Sequence, residues 1–361
     1  LYVAGMTGGS FSAILLNIPG TPSASATALD GYPLTQNGEA GRALGISITS
    51  GFVGGVISFA CLYLIAPLLA DVALQFRAAD LFSLVFFGLT VICSFASKSM
   101  IKGLLSAAFG LLIVTVGQDP VMGTARFTFG NADLLAGIHF LTALIGLFAI
   151  PQLIDNLKPA AASTVSTARE FGSVLPRLVD LVRVKAAAMI GSLCGTFLGI
   201  LPGAGGPIAA FISYDYAKKV SSSPDEFGQG SVEGVSAPES ANNAVAGGAL
   251  IPMMTLGIPG DPVTAILIGA LLIHGLTPGP LLFLERADFA YAVIFSYFWA
   301  NIFNLAIALT AIRFLVKLLA TPKVLLMPTI AVLCVIGSYS LRNSFFDVWV
   351  MFMFGMIGLG M

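Results

Sequence analysis

Apolar residues run along this chain in long blocks rather than in alternation: 43–69, 81–97, 101–117, 134–150, 186–201, 263–284, 290–312, 324–339 and 345–361, with short polar interruptions between them. Most of these blocks have the length, about 17 to 25 residues, that a helix needs to cross the hydrocarbon core of a bilayer. Barrel strands are the other way to satisfy every backbone group in lipid, but they alternate apolar and polar positions over roughly ten residues. No such alternation is present. The pattern predicts an all-α, polytopic helical membrane protein.

Composition sharpens this picture. The chain is 57% hydrophobic and 10% charged, with a mean hydropathy of +0.94, whereas a soluble domain carries about 25% charged residues. A net charge of −1 with no basic tail or basic, aromatic-interleaved patch argues for no nucleic-acid partner. Cys61, Cys93, Cys194 and Cys334 lie inside apolar runs at irregular spacing, which reads as packing and not as a disulfide framework or zinc site. His139 and His274 are solitary, and there is neither a His-Glu-x-x-His nor a phosphate-loop pattern. An enzyme is therefore not expected. The chain opens at Leu1 in mid-pattern and ends inside an apolar run, as a piece of a longer protein would.

Lysine and arginine mark cytoplasmic loops. Counting crossings from Arg42 forwards and from Arg313, Lys317 and Lys323 backwards places every basic residue inside except Arg77, Arg126, Arg286 and Arg342. Lys218 and Lys219 fall inside only if 186–201 enters and 207–217 returns. The second arm is then 11 residues long, about 16 Å as a helix, too short to cross. A re-entrant hairpin is expected, with the tip Leu201-Pro202-Gly203-Ala204-Gly205-Gly206.

Two further interruptions are related to each other. Leu16-Asn17-Ile18-Pro19-Gly20-Thr21-Pro22 and Leu256-Gly257-Ile258-Pro259-Gly260-Asp261-Pro262 share Leu, Ile, Pro, Gly and Pro at equivalent places. Proline removes a backbone hydrogen bond and glycine lets the chain turn. Unwound backbone at membrane depth is tolerated only where it is buried in protein or lines a cavity, and paired breaks of this kind point to the binding site of a secondary transporter. Helix starts after a break suit an anion and freed carbonyls before it suit a cation. The candidate substrate-binding residues are Asn17, Pro19, Gly20, Thr21, Ser23, Ser25, Gly203, Ala204, Gly205, Gly206, Asn242, Asn243, Gly257, Pro259, Gly260 and Thr264, hydroxyls and amides suited to carboxylate oxygens. The bland alternative is that the breaks are kinks and packing positions.

Glu239 and Asp261 are the candidates for ion coupling, with Na⁺ near Asn243 and Asp261 as the metal to consider. Glu239 follows Pro238 and reads equally well as a first-turn carboxylate. Asp30, in Ala-Leu-Asp-Gly-Tyr-Pro, reads as a turn residue, and Asp215 beside Lys218 and Lys219 as a solvated charge. Beyond the possible coupling ion, no cofactor is expected.

Three stretches carry a family likeness: LLNIPGTPSASATALDGYPLTQNGEAGRALG, GTFLGILPGAGGPIAAFISYDYAKKVS and FGQGSVEGVSAPESANNAVAGGALIPMMTLGIPG. They resemble the large membrane subunit, TctA-type, of the tripartite tricarboxylate transporters. The resemblance implies a multi-pass protein of the bacterial inner (cytoplasmic) membrane. It implies work with a small TctB-type membrane subunit and a periplasmic TctC-type solute-binding protein, and ion-driven uptake of citrate or a related carboxylate by Na⁺ or H⁺ symport.

The resulting expectation is a secondary active transporter subunit with an internal inverted repeat. Residues 1–151 would be a first half, 152–185 a cytoplasmic connection and 186–361 a second half, each half incomplete at its outer end. Elevator-type alternating access, with hairpin tips as gates, is favoured over rocking; a passive anion channel or pore is the alternative.

Overall fold

A computed structural model describes the chain except for residues 18, 78, 81, 84, 85, 87–89, 91–99, 120, 121, 140, 141, 144, 158–173, 203, 204, 320–322 and 361. Cys93, Lys98, Lys158, Arg169, much of the run at 81–97 and the candidates Gly203 and Ala204 lie outside the described residues. The chain forms two compact units, Leu1–Phe95 with Val165–Leu319 and Ala96–Thr164 with Ala320–Met361. Each draws residues from both of the halves expected from sequence.

The first unit contains α1 (Tyr2–Leu16), α2 (Ala24–Gln36), α3 (Ala40–Ala73), and then, past α4 and α5 of the second unit, α6 (Leu178–Ile200), α7 (Gly205–Val220), α8 (Val232–Leu256), α9 (Pro262–Ile273), α10 (Pro280–Glu285) and α11 (Ala287–Leu319). Three described helices are long and apolar enough to cross a membrane: Ala40–Ala73, Leu178–Ile200 and Ala287–Ile312. At the centre stands α8, buried at every residue from Val232 to Thr255 although it carries Glu233, Glu239, Asn242 and Asn243.

Small side chains make that burial feasible. Along α6, Gly191, Gly195 and Gly199 recur every fourth residue and so occupy one face. A β-carbon at Gly195 would lie 2.2 Å from the Ala241 carbonyl oxygen, so the two backbones are in direct contact, as in close membrane-helix pairs. On the other side of α8, a β-carbon at Gly54 of α3 would lie 2.0 Å from the Ser240 carbonyl. The stripe Gly191, Gly195, Gly199 meets Ala237, Ala241 and Val245 in ascending order, so α6 and α8 run parallel.

The helix limits follow local chemistry. Ser231 caps α8 by accepting from the Gly234 N–H at 3.3 Å. Gly257 ends the helix in the left-handed region at φ 69°, where a side chain is disfavoured. At the start of the bundle, Arg42 of α3 donates through Nε and Nη2 to the two oxygens of the buried Asp180 of α6, at 3.1 and 2.5 Å, and through Nη1 to Glu39 at 2.6 Å. This bidentate pair puts Arg42 and the start of α6 at one end, the end to which the distribution of basic residues assigns both.

The α6–α7 hairpin turns beside Asn242 to Ala249, about halfway along α8. Its second arm is 16 residues and not 11. Hydropathy ended it before Lys218 and Lys219, yet the helix continues through them.

The second unit holds α4 (Met100–Val114), α5 (Ile150–Leu157), α12 (Lys323–Ser340) and α13 (Phe345–Gly360). Within the run at 134–150, expected to be one helix, the described residues include a 3₁₀ turn at Ala132–Ala136 and a π-helical turn at Ile145–Ala149 leading into α5. Gly146 in that turn abuts α13: a β-carbon there would lie 2.3 Å from the Met351 carbonyl oxygen. Arg342, between α12 and α13, binds the buried Asp347 through Nε at 2.8 Å and donates to the carbonyls of Ala136 and Gly137 at 3.3 and 3.1 Å. Its bond to Asp347 raises the guanidinium above its ordinary pKa, so it stays charged.

Replacing Gly195 with Leu is expected to abolish the monodisperse folded species in size-exclusion chromatography, because overpacking costs about 1–3 kcal/mol even where neighbours can yield and here the neighbour is backbone. Leu193→Ala, two residues away and 53% exposed, is expected to leave the elution profile unchanged.

Candidate functional site

Two half-helices start beside the same residue of α8. The chain leaves α1 at Asn17, which is exposed and adopts φ 55°, ψ 31°, a left-handed conformation that asparagine tolerates better than most residues. It then doubles back, with Gly20 N–H donating to the Gly9 carbonyl at 3.1 Å, and starts α2 after Ser23. A β-carbon at Gly206, at the start of α7, would lie 2.7 Å from Asn242 Oδ1 and 3.4 Å from Ser23 Oγ. The positive ends of α2 and α7 therefore meet at Asn242. In α2 the N–H groups of Ala24, Ser25 and Ala26 are already used in turn bonds to Thr21, Pro22 and Ser23. This helix contributes its dipole and the hydroxyls of Ser23 and Thr21, which lie 3.2 Å apart. Ser25 is half-buried one residue into α2.

α1 aligns these parts. Tyr2, Met6 and Gly9 occupy one face over about 10 Å. Tyr2 donates its hydroxyl to Asp261, the Met6 carbonyl accepts from Asn242 Nδ2 at 2.9 Å, and Gly9 packs on Thr21. Along this face, all three breaks come together around one helix.

The third break differs in kind from the others. Asp261 caps α9, accepting from Thr264 N–H and hydroxyl at 2.8 Å each, while Thr264 Oγ1 accepts from Asp261 N–H at 3.0 Å. The start of α9 is thus occupied by its own carboxylate, and Thr264 is fully buried within that capping box. Pro259 is half-buried, and Gly260 packs on the Gly199 carbonyl and Ala249, which closes the loop onto α6 and α8. Gly257 approaches the Pro278 carbonyl.

Glu239 is not a first-turn carboxylate. It is the eighth residue of α8 and fully buried, since the helix begins at Ser231, ahead of the polar stretch that hydropathy left outside it. Its Oε1 accepts from Thr27 at 2.5 Å and its Oε2 from Ser47 at 3.0 Å, and Ser10 and Ser47 share a bond of 3.1 Å. Among the described residues no basic side chain forms an ion pair with it. On α8, Glu239 lies three residues before Asn242, and on α2, Thr27 lies four after Ser23. The carboxylate is thus one helical turn, about 5 Å, from the meeting point of the half-helices.

Asn243 points elsewhere. Its Oδ1 accepts from Thr7 at 3.1 Å, Thr7 accepts from Asn304 at 2.9 Å, and its carbonyl accepts from Tyr297 at 3.2 Å. Asn243 and Asp261 engage α1 at Thr7 and Tyr2 and do not share a cluster; among the described residues no group of three or more His, Cys, Asp or Glu is gathered. Thr7, Ser10, Ser47, Asn304 and Tyr2 escaped the sequence reading. Their signal was faint: single polar residues inside apolar helices.

Asp30 is not a turn residue either. It lies inside α2, fully buried, where Oδ1 accepts the N–H groups of Gly228, Gly230 and Ser231 at 2.8, 2.9 and 2.8 Å and Oδ2 accepts the Tyr214 hydroxyl at 2.8 Å. Asp-Gly-Tyr-Pro has turn composition, but Pro33 is absorbed within the helix. One carboxylate thereby clasps α2, α7 and the lead-in to α8. Asp215 is exposed, as expected.

Membrane-length apolar helices around a buried polar helix, with broken helices meeting at its middle, define a helical membrane protein of the transport class. The chain belongs to the tripartite tricarboxylate transporter TctA family, whose family model matches residues 1–361. It is 39% identical over 358 residues to a 52.8 kDa protein of Agrobacterium vitis from the TAR-I ttuC' 3' region, covering 99% of this chain and 71% of the relative. A second Agrobacterium vitis protein, from the TAR-II ttuC' 3' region, is 42% identical over 164 residues, covering 45% of this chain and 68% of the relative. No solved structure matches the chain.

Asp30→Ala strands three N–H groups and a hydroxyl, each costing about 1–3 kcal/mol when left unpaired and buried. The melting temperature of the purified protein is expected to fall steeply, and Tyr214→Phe, which strands one carboxylate oxygen, to lower it by a smaller amount.

Proposed function

We propose that this membrane transport component imports carboxylates by ion-driven secondary transport across the bacterial inner membrane, with a TctB-type small membrane subunit and a TctC-type periplasmic binding protein as partners. The observation that carries the reading is the meeting of two helix N-termini, hydroxyls and an amide at Asn242, in the middle of a fully buried helix. Such a site binds an anion without a buried cation, since the start of α7 and the hydroxyls of Ser23 and Thr21 supply the donors and α2 adds its dipole. The family's name supports a tricarboxylate as the substrate class.

Coupling follows from the spacing. A bare carboxylate at Glu239, one turn from the site, repels an anionic substrate; a cation held there, Na⁺ or H⁺, removes the repulsion. Binding of each then favours the other by the same factor, as linkage requires. The hydroxyls of Thr27, Ser47 and Ser10 are hard oxygen donors suited to either ion. Ser23 and Thr27 share α2, so both loads sit on one element. We further propose an elevator motion in which the α6–α7 tip acts as a gate.

In proteoliposomes carrying the full complex, labelled carboxylate is expected to accumulate above equilibrium only with an inward ion gradient; equilibration without accumulation would identify a passive channel. Glu239→Gln, which keeps shape and hydrogen bonding, is expected to lower gradient-driven accumulation at least tenfold while Asp215→Asn transports normally. Equal accumulation by the two variants sinks the coupling assignment.

A further inference from the structure

We infer that Asn242 accepts a hydrogen bond from a hydroxyl group of the substrate, so that the site takes a hydroxy-carboxylate in preference to the same acid without its hydroxyl. The inference rests on the reading of this site as the carboxylate site. Asn242 is 1% exposed. Its Nδ2 donates to the Met6 carbonyl at 2.9 Å, which fixes the amide's orientation and turns Oδ1 the other way. Among the described residues Oδ1 has no hydrogen-bond partner. Buried acceptors are almost always paired, and an unpaired one in a functional region calls for an explanation.

The direction of that oxygen supplies one. Oδ1 faces Gly206 at the start of α7, with Ser23 Oγ on the neighbouring side. An ionised carboxylate offers only acceptor oxygens, which Oδ1 would repel. A carboxylate bearing an adjacent hydroxyl offers both kinds of group: its oxygens suit the helix ends and the hydroxyls of Ser23 and Thr21, and its O–H suits Asn242. Glycine at 206 lets the start of α7 lie directly against Oδ1, where a methyl group would press on the oxygen.

The test uses the chain with its small membrane subunit in nanodiscs, without the solute-binding protein, so that only this site selects. Calorimetry compares citrate with tricarballylate and malate with succinate, pairs that differ by the hydroxyl alone, in sodium and in choline chloride. The hydroxy acid of the transported chain length is expected to bind about three- to tenfold more tightly, the worth of one net hydrogen bond, in both salts. Asn242→Leu is expected to bring the pair within twofold, and Gly206→Ala to weaken the hydroxy acid selectively. Equal binding by the unmodified protein overturns the inference and leaves carboxylate transport standing. A hydroxyl preference that survives in Asn242→Leu while sodium dependence disappears also overturns it, and assigns Oδ1 to the cation. Binding of none of the four acids, with no uptake of any by the full complex, overturns the carboxylate reading itself.

Discussion

The structure depends on burying a polar helix. Between Val232 and Thr255, α8 carries two carboxylates and two amides with no water-facing side, and each group left unpaired in such a place costs about 1–3 kcal/mol or more. Two devices make this tolerable. Glycines on α3 and α6 bring neighbouring backbones into contact with α8, and hydroxyls on α1, α2, α3 and α11 reach in to pair its polar groups. Close packing and polar satisfaction are one requirement here, because short side chains reach partners only across short gaps.

That requirement explains why the breaks are where they are. A half-helix that starts beside α8 presents its positive end to the polar middle of the bundle, where a continuous helix would present only side chains. Both α2 and α7 do so, and Asp30 ties the two helices to the lead-in of α8. The third break is spent differently. Asp261 fills the start of α9 with its own charge, and this loop closes against α6 and α8.

In the proposed mechanism the position of Glu239 converts a binding site into a coupled one. It is separated from Asn242 by one turn of α8 and joined to Ser23 through Thr27 by one turn of α2. A change of charge at the carboxylate therefore acts on the substrate site through two helices at once. Coupling of this kind needs no long-range pathway, only two loads on one packed element.

Much of this was written in the chain itself. Long apolar blocks without alternation require helices in lipid, because no other open structure pairs its backbone there; family likeness and the three Pro-Gly breaks were equally local. Three assignments failed for a shared reason. The first-turn reading of Glu239, the turn reading of Asp30 and the 11-residue length of the hairpin's second arm were judged from neighbours in sequence, but polar composition does not end a helix whose polar groups find partners on other helices. The run at 134–150 failed conversely: it is apolar enough for one helix, yet it gives way to 3₁₀ and π-helical turns, the latter packed directly on α13. Residues such as Thr7, Ser10 and Ser47 were invisible because a lone hydroxyl in an apolar helix commonly bonds its own backbone. Local sequence thus determined which segments must be helical and where they break. Which breaks meet at the middle of α8, which carboxylate is buried among hydroxyls and which caps a helix were decided by tertiary packing, since those placements depend on contacts between residues more than two hundred positions apart, such as Thr27 and Glu239.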